Sequence, residues 1–271
     1  MILGIFAKTF AGDARAVMAE AAAAGYGAVQ YNMACSGLGA LPAEVSKVVA
    51  EEVRAAAAAQ GLQVAALSAT YNLIHPDPSK RLEGRRSFAA MAARAPQMGT
   101  RLMTLCTGSA DPLDQWRHHP DNRSEASWSL MRAEFDALLE LAETHDLLLG
   151  IEPELANVVD GARAAHRLLT EVQSPRLRIV LDPANLVEVA PPETRRRIIA
   201  EAVDLLGDRI SMAHAKDRHA DGSFATAGKG VVDFPDFISR LKGIGFDGAL
   251  VTHGLTAQEA PGVAEFLRGL A

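Results

Sequence analysis

The chain has 271 residues, 49% of them hydrophobic and 22% charged, with a formal net charge of −6. That length suits one α/β barrel spanning 1–271. The acidic balance excludes a surface built to neutralise phosphates, and two cysteines, Cys35 and Cys106, exclude a disulfide framework. No run reaches the ~18 apolar residues of a membrane helix, and MILGIFAKTF does not read as a leader, so a cytoplasmic protein without nucleic-acid or membrane partners is expected.

In chain order, apolar runs at 2–6, 27–31, 62–68, 101–106, 147–152, 177–182, 209–214 and 248–253 predict eight strands. Helical patterns lie between and after them, near 13–24, 42–60, 79–97, 124–145, 160–173, 193–206, 233–243 and 259–270. Asp13, Ser124 and Asp160 are placed to cap helix starts, and Pro42 to occupy a first turn. Alternation at roughly one pair per 30 residues is the βα rhythm of a parallel sheet, and eight such pairs close a (β/α)8 TIM barrel. A doubly wound open sheet is the alternative, but no G-x-G-x-x-G follows the first strand.

A barrel of this kind carries its chemistry on the loops that follow the strands. Two of these are long, ATYNLIHPDPSKR after the third strand and TGSADPLDQWRHHPDNR after the fourth, and their aromatics and prolines favour ordered lids. Four successive strand-like runs end on a polar residue: Glu152 after LLLGI, Asp182 after LRIVL, His214 after RISMA and His253 after GALVT. Each alone has an ordinary explanation as a salt bridge, a turn former or a core histidine. Sharing one register on four neighbouring strands, they read as a metal site. Carboxylate and imidazole together suit Mn²⁺ first, then Zn²⁺, Co²⁺ or Fe²⁺, with Mg²⁺ a further candidate although it ordinarily takes oxygen alone.

The segments GIEPE, VLDPAN, AHAKD and DGALVTHG, each at a strand end in the second half of the chain, resemble the sugar phosphate isomerase/epimerase superfamily, the xylose isomerase-like TIM barrels. That superfamily contains ketose 3-epimerases, hydroxypyruvate isomerases, inosose dehydratases and endonuclease IV nucleases. The resemblance implies a metal held by Glu152, Asp182 and His214, with a second glutamate at the position that His253 occupies here. In the epimerases the two glutamates face each other as proton-transfer bases, so His253 puts that symmetric mechanism in doubt and leaves Glu152 as the candidate base.

Glu154 and Lys216 are further catalytic candidates, Lys216 as a cation for an enediolate oxygen and Glu154 as a rim carboxylate or its ion-pair partner. Asp217 is placed to orient a histidine. Substrate contacts are expected from His75, Asn72, Trp116, Arg117, His119, Asn185 and Lys8. The expected function is a divalent-metal-dependent isomerase or epimerase of a small sugar, keto-sugar or polyol through an enediolate. A metal-dependent lyase or dehydratase acting on a keto-sugar, inosose or 3-keto-glycoside is the alternative, and a sugar-binding barrel without catalysis the non-enzymatic one. An endonuclease is disfavoured by the acidic charge and by LSAT and TLCTG, which place no imidazole at the ends of strands three and four. A carbohydrate is the expected partner, and a homodimer or homotetramer the expected assembly.

Overall fold

Side chains alternate from face to face along a strand, so in a closed sheet every second residue points into the barrel. The computed structural model, which describes residues 1–270, contains ten strands: β1 (Ile2–Phe6), β2 (Ala28–Tyr31), β3 (Gln63–Ser68), β4 (Leu102–Leu105), β5 (Leu148–Ile151), β6 (Leu177–Leu181), β7 (Ile210–Ala215), β8 (Asp217–Arg218), β9 (Phe224–Ala225) and β10 (Ala249–Thr252). All except β8 and β9 form a closed parallel barrel in the order β1-β10-β7-β6-β5-β4-β3-β2. The pair β8 and β9 is a short antiparallel hairpin on the loop after β7.

The barrel interior is filled by Ala28, Ala66, Leu102, Val180, Met212, Ala249 and Val251. Space is tight enough that a Cβ on Gly150 would lie 2.9 Å from Val180 and 3.1 Å from Leu102. Two residues further along six of these strands, the same parity delivers Gln30, Thr104, Glu152, Asp182, His214 and His253 to the C-terminal end. The site is therefore a consequence of strand alternation. Apolar side chains below fix the register that aims the polar ones above.

Nine helices surround the sheet among the described residues: α1 (Ala14–Ala23), α2 (Lys47–Ala59), α3 (Pro78–Ala92), α4 (Ala95–Met98), α5 (Glu125–Thr144), α6 (Ala162–Val172), α7 (Pro192–Leu206), α8 (Phe234–Gly243) and α9 (Ala260–Arg268). Asp13 caps α1 by accepting from the Ala16 N–H at 3.0 Å, and Ser124 caps α5 through Ser127 at 3.1 Å. Three expectations differ from the structure. The second helix starts at Lys47, five residues beyond Pro42, because the Ser46 hydroxyl satisfies the Val49 N–H. The helix expected over 79–97 breaks near Arg94, since Pro96 has no N–H to continue the ladder. Asp160 does not cap α6; it pairs with Arg123 at 3.2 Å.

All three tyrosines, Tyr26, Tyr31 and Tyr71, are buried, and burial raises each phenol above 10.0, Tyr31 to about 12. A raised phenol stabilises the fold fully below the unfolded value and loses that contribution as pH rises through the folded one. Unfolding is thus expected in the window from about 10 to 12, with tyrosinate absorbance and loss of ellipticity appearing together. Tyrosinate forming at ordinary pH with the fold intact would contradict this.

Candidate metal centre

The strands set out above deliver Glu152 and Asp182 immediately after β5 and β6, and His214 within β7. Ligand atoms of these three lie within 4.8 Å of one another. His214 Nδ1 is 3.2 Å from Glu152 Oε1 and 3.6 Å from Asp182 Oδ2, and Asn185 Nδ2 donates to Glu152 Oε1 at 2.6 Å. Lys216 Nζ stands 3.6 Å from Asp182 Oδ2. At 3.6 Å neither nitrogen hydrogen-bonds that oxygen, although each is a close charge neighbour.

His253, just past β10, stacks parallel to His214 with centroids 5.5 Å apart and meets the Phe6 ring on a tilted contact at 5.0 Å. It stands beside the three-residue cluster rather than within it. Buried polar atoms without a hydrogen-bond partner include Asp182 Oδ2, Asn185 Oδ1 and His253 Nδ1, all at this rim, against only Arg132 Nη1 and Arg195 Nε elsewhere among the described residues. Buried polar atoms are normally paired, so three orphans at one rim leave polar atoms open to a water or a ligand there.

The electrostatics follow from this packing. Burial raises the Glu152 carboxyl, but the charge and bond of His214 outweigh it and the group ends low. Burial acts on Asp182 in the same direction, and Lys216 with His214 drives it well below the carboxylate range. His214 is raised to about 9: burial opposes, and the two carboxylates prevail. His253 is lowered to about 4 by burial and by the cations of His214 and Lys216, which leaves it neutral near pH 7. Glu154 is raised to about 7 by burial and the neighbouring Glu152 charge. Cys106 is pushed far up by burial and both glutamates, and forms a neutral wall.

A family model described as a xylose isomerase-like TIM barrel matches residues 18–270. The chain belongs to that family. Among curated proteins, none matches it by sequence. Solved structures similar to this xylose isomerase-like barrel include 3-keto-D-glucoside 4-epimerase YcjR from E. coli, with a TM-score of 0.78, 16% identity and 99% of each chain covered. D-psicose 3-epimerase from Clostridium cellulolyticum H10, determined with D-tagatose, gives 0.76 at 15% identity over 100% of this chain and 99% of that one. D-allulose 3-epimerase from Methylomonas sp. gives 0.76 at 18% over 100% and 98%. At such identities the likeness is one of fold.

Within the xylose isomerase-like barrel, the other expected contacts take varied places. Asn185 reaches the cluster, as its bond to Glu152 shows. Asn72 instead staples the two long loops, donating to Ser109 O at 2.8 Å and accepting from the Ser109 and Ile74 amides. Gly108, at φ 81°, makes room for it, since a Cβ there would fall 2.1 Å from Asn72 Oδ1. The imidazoles of His75 and His119 each accept from the amide two residues on, and Arg117 pairs with Asp111 at 3.2 Å. Trp116, 50% exposed, lines with His75 and Asn72 a cavity of about 330 Å³ between these loops. Lys8 is exposed on the turn after β1. Among the described residues, no hydrogen bond or ion pair links these six, Asn72, His75, Trp116, Arg117, His119 and Lys8, to the carboxylates.

Asp217 does not orient a histidine. Its carboxylate accepts from the amides of Arg218, Gly228, Gly230 and Val232 at 2.8 to 3.1 Å and so folds the loop over 217–232. The carboxylate is thereby fully occupied by backbone. Glu154 makes no ion pair with Lys216 within 4.0 Å among the described residues; instead the Lys216 ammonium packs 3.9 Å from the centre of the Phe224 ring. Gln30 and Thr104, which connect to the cluster through His214, were missed in the sequence, and their signal was a polar residue inside an otherwise apolar strand, GAVQY and LMTL.

Proposed function

We propose that this barrel is a divalent-metal-dependent isomerase or epimerase of a small sugar, keto-sugar or polyol, acting through an enediolate. The observation that carries the reading is the convergence of Glu152, Asp182 and His214 within 4.8 Å at the C-terminal end of the barrel, where buried polar atoms of Asp182, Asn185 and His253 have no hydrogen-bond partner. The donor set fits a cation: two carboxylates, an imidazole nitrogen facing them, and an Asp182 oxygen with no partner. Glu152, Asp182 and His214 would hold it, His253, just outside that cluster, is the candidate fourth donor, and Mn²⁺ is the preferred metal.

The cation, when bound, supplies charge that polarises the substrate carbonyl and acidifies the adjacent C–H. Glu152, oriented by Asn185, takes the proton from that carbon. Lys216 places its ammonium where negative charge develops on the substrate oxygen. Glu154, held near neutrality, can carry a proton at the pH of the reaction and return it. The Phe6 ring packs against His253 at the same rim.

A lyase is the second reading, favoured by one feature. The carboxylates at the rim that could move protons, Glu152 and Glu154, both come from the segment after β5, and His253 stands where an opposing base would be needed for epimerisation. One base and one acid on the same segment suit removal of a proton followed by protonation of a leaving group. Metal analysis of the purified protein and a screen of ketoses, inososes and 3-keto-glycosides with Mn²⁺ test both. About one divalent ion per chain and chelator-sensitive turnover are expected. A metal-free protein indifferent to chelators would remove the metal reading, and release of an aglycone or water would select the lyase.

A further inference from the structure

The two ring nitrogens of His214 have different neighbours. Nδ1 faces Glu152 and Asp182, whereas Nε2 lies 2.8 Å from Gln30 Oε1. Gln30 in turn donates from Nε2 to Thr104 Oγ1 at 3.0 Å. With Gln30 4% and Thr104 2% exposed, water does not compete for these bonds.

A neutral imidazole carries one N–H and one lone pair. A lone pair given to a cation from Nδ1 obliges the proton to sit on Nε2, and a buried N–H without an acceptor is costly. Among the described residues the hydrogen-bond partner of Nε2 is Gln30. Its carbonyl oxygen must face the ring, because the reversed amide would set N–H against N–H. Thr104, by accepting from the amide nitrogen, holds that orientation.

We propose that Gln30, oriented by Thr104, is the positioning residue that fixes His214 with its proton on Nε2 and its Nδ1 lone pair aimed between the carboxylates. This rests on the metal reading above. Gln30 touches neither cation nor substrate; it acts through His214, as hydrogen-bonded neighbours of metal-binding histidines do in general. It also ties β2 and β4 to a site whose ligands come from β5 to β7.

The test is chelator competition with Mn²⁺ or Zn²⁺ on metal-stripped wild-type protein and on Gln30→Met, Gln30→Glu and Thr104→Val. Gln30→Met should weaken binding roughly 10- to 100-fold. Thr104→Val should weaken it less but in the same direction, and Gln30→Glu, whose carboxylate still accepts from Nε2–H, should stay within a few-fold of wild type. In the Zn²⁺-loaded wild type, NMR should show a slowly exchanging N–H on His214 Nε2 that is lost in Gln30→Met. Wild-type affinity in both Gln30→Met and Thr104→Val, or the proton on Nδ1, overturns the inference. If Gln30→Met does not fold, wild-type affinity in Thr104→Val overturns it alone. A wild-type protein that binds no metal removes the metal reading itself, a result distinct from unaffected variants.

Discussion

Replacing Glu152 with glutamine is expected to reduce turnover by at least roughly 10²- to 10⁴-fold while the protein still folds cooperatively. Glutamine keeps an oxygen for the Asn185 amide, which reaches Glu152 Oε1 at 2.6 Å, and preserves the backbone bond from residue 152 to Leu105 O. What it loses is a negative charge that would both hold the cation and accept a proton, so turnover is compared at saturating metal. At about 1.4 kcal/mol per tenfold, the loss corresponds to roughly 3–6 kcal/mol of barrier. Glu152→Asp retains the charge but withdraws it by one methylene, and a displacement near 1 Å costs on the order of 10²-fold. Steady-state kinetics on the best substrate from the screen, with circular dichroism as the control for folding, decide the matter. Wild-type kcat in Glu152→Gln would take proton abstraction away from this residue.

How much of this site was legible in the sequence follows from where each residue sits on its strand. Glu152, Asp182, His214 and His253 end apolar runs, and a polar side chain at the rim interrupts the hydrophobic pattern visibly. Gln30 and Thr104 lie inside such runs, where a single polar residue looks like noise until strand parity turns it inward beside its partner. The barrel itself was legible because eight buried strands alternate with amphipathic helices. Helix starts were less so: Ser46 and Pro42 both have starting chemistry, and only the bond to Val49 distinguishes them. Asp217 was misread for a related reason. Next to His214 in the chain it looked like a partner for an imidazole, yet its neighbours in space are four amides of the following loop. The long-loop polar residues were visible, but their bonds to one another depend on two loops meeting, which spacing along the chain does not encode.

Lys216→Met is expected to separate the structural from the chemical use of charge at this rim. The Lys216 side chain is 8% exposed and its ammonium stands 3.6 Å from the fully buried Asp182 oxygen that has no hydrogen-bond partner. Methionine fills similar space and leaves the carboxylate with one cation fewer. Breaking a buried pair from one side costs on the order of 3 kcal/mol, because the remaining charge stays desolvated. The variant should therefore melt well below wild type in the presence of a chelator. A divalent cation beside Asp182 would neutralise the same oxygen, so added Mn²⁺ should raise the melting temperature of Lys216→Met more than that of wild type. Restored stability should not restore rate. Without the ammonium near the developing oxyanion, kcat should remain depressed by roughly 10²-fold or more with metal bound, while KM changes little. Calorimetric melts with and without Mn²⁺, paired with kinetics at saturating metal, measure the two effects independently. A variant as stable as wild type in chelator would show that Lys216 does not balance Asp182. One that is rescued in both stability and rate would assign the lysine to charge balance alone.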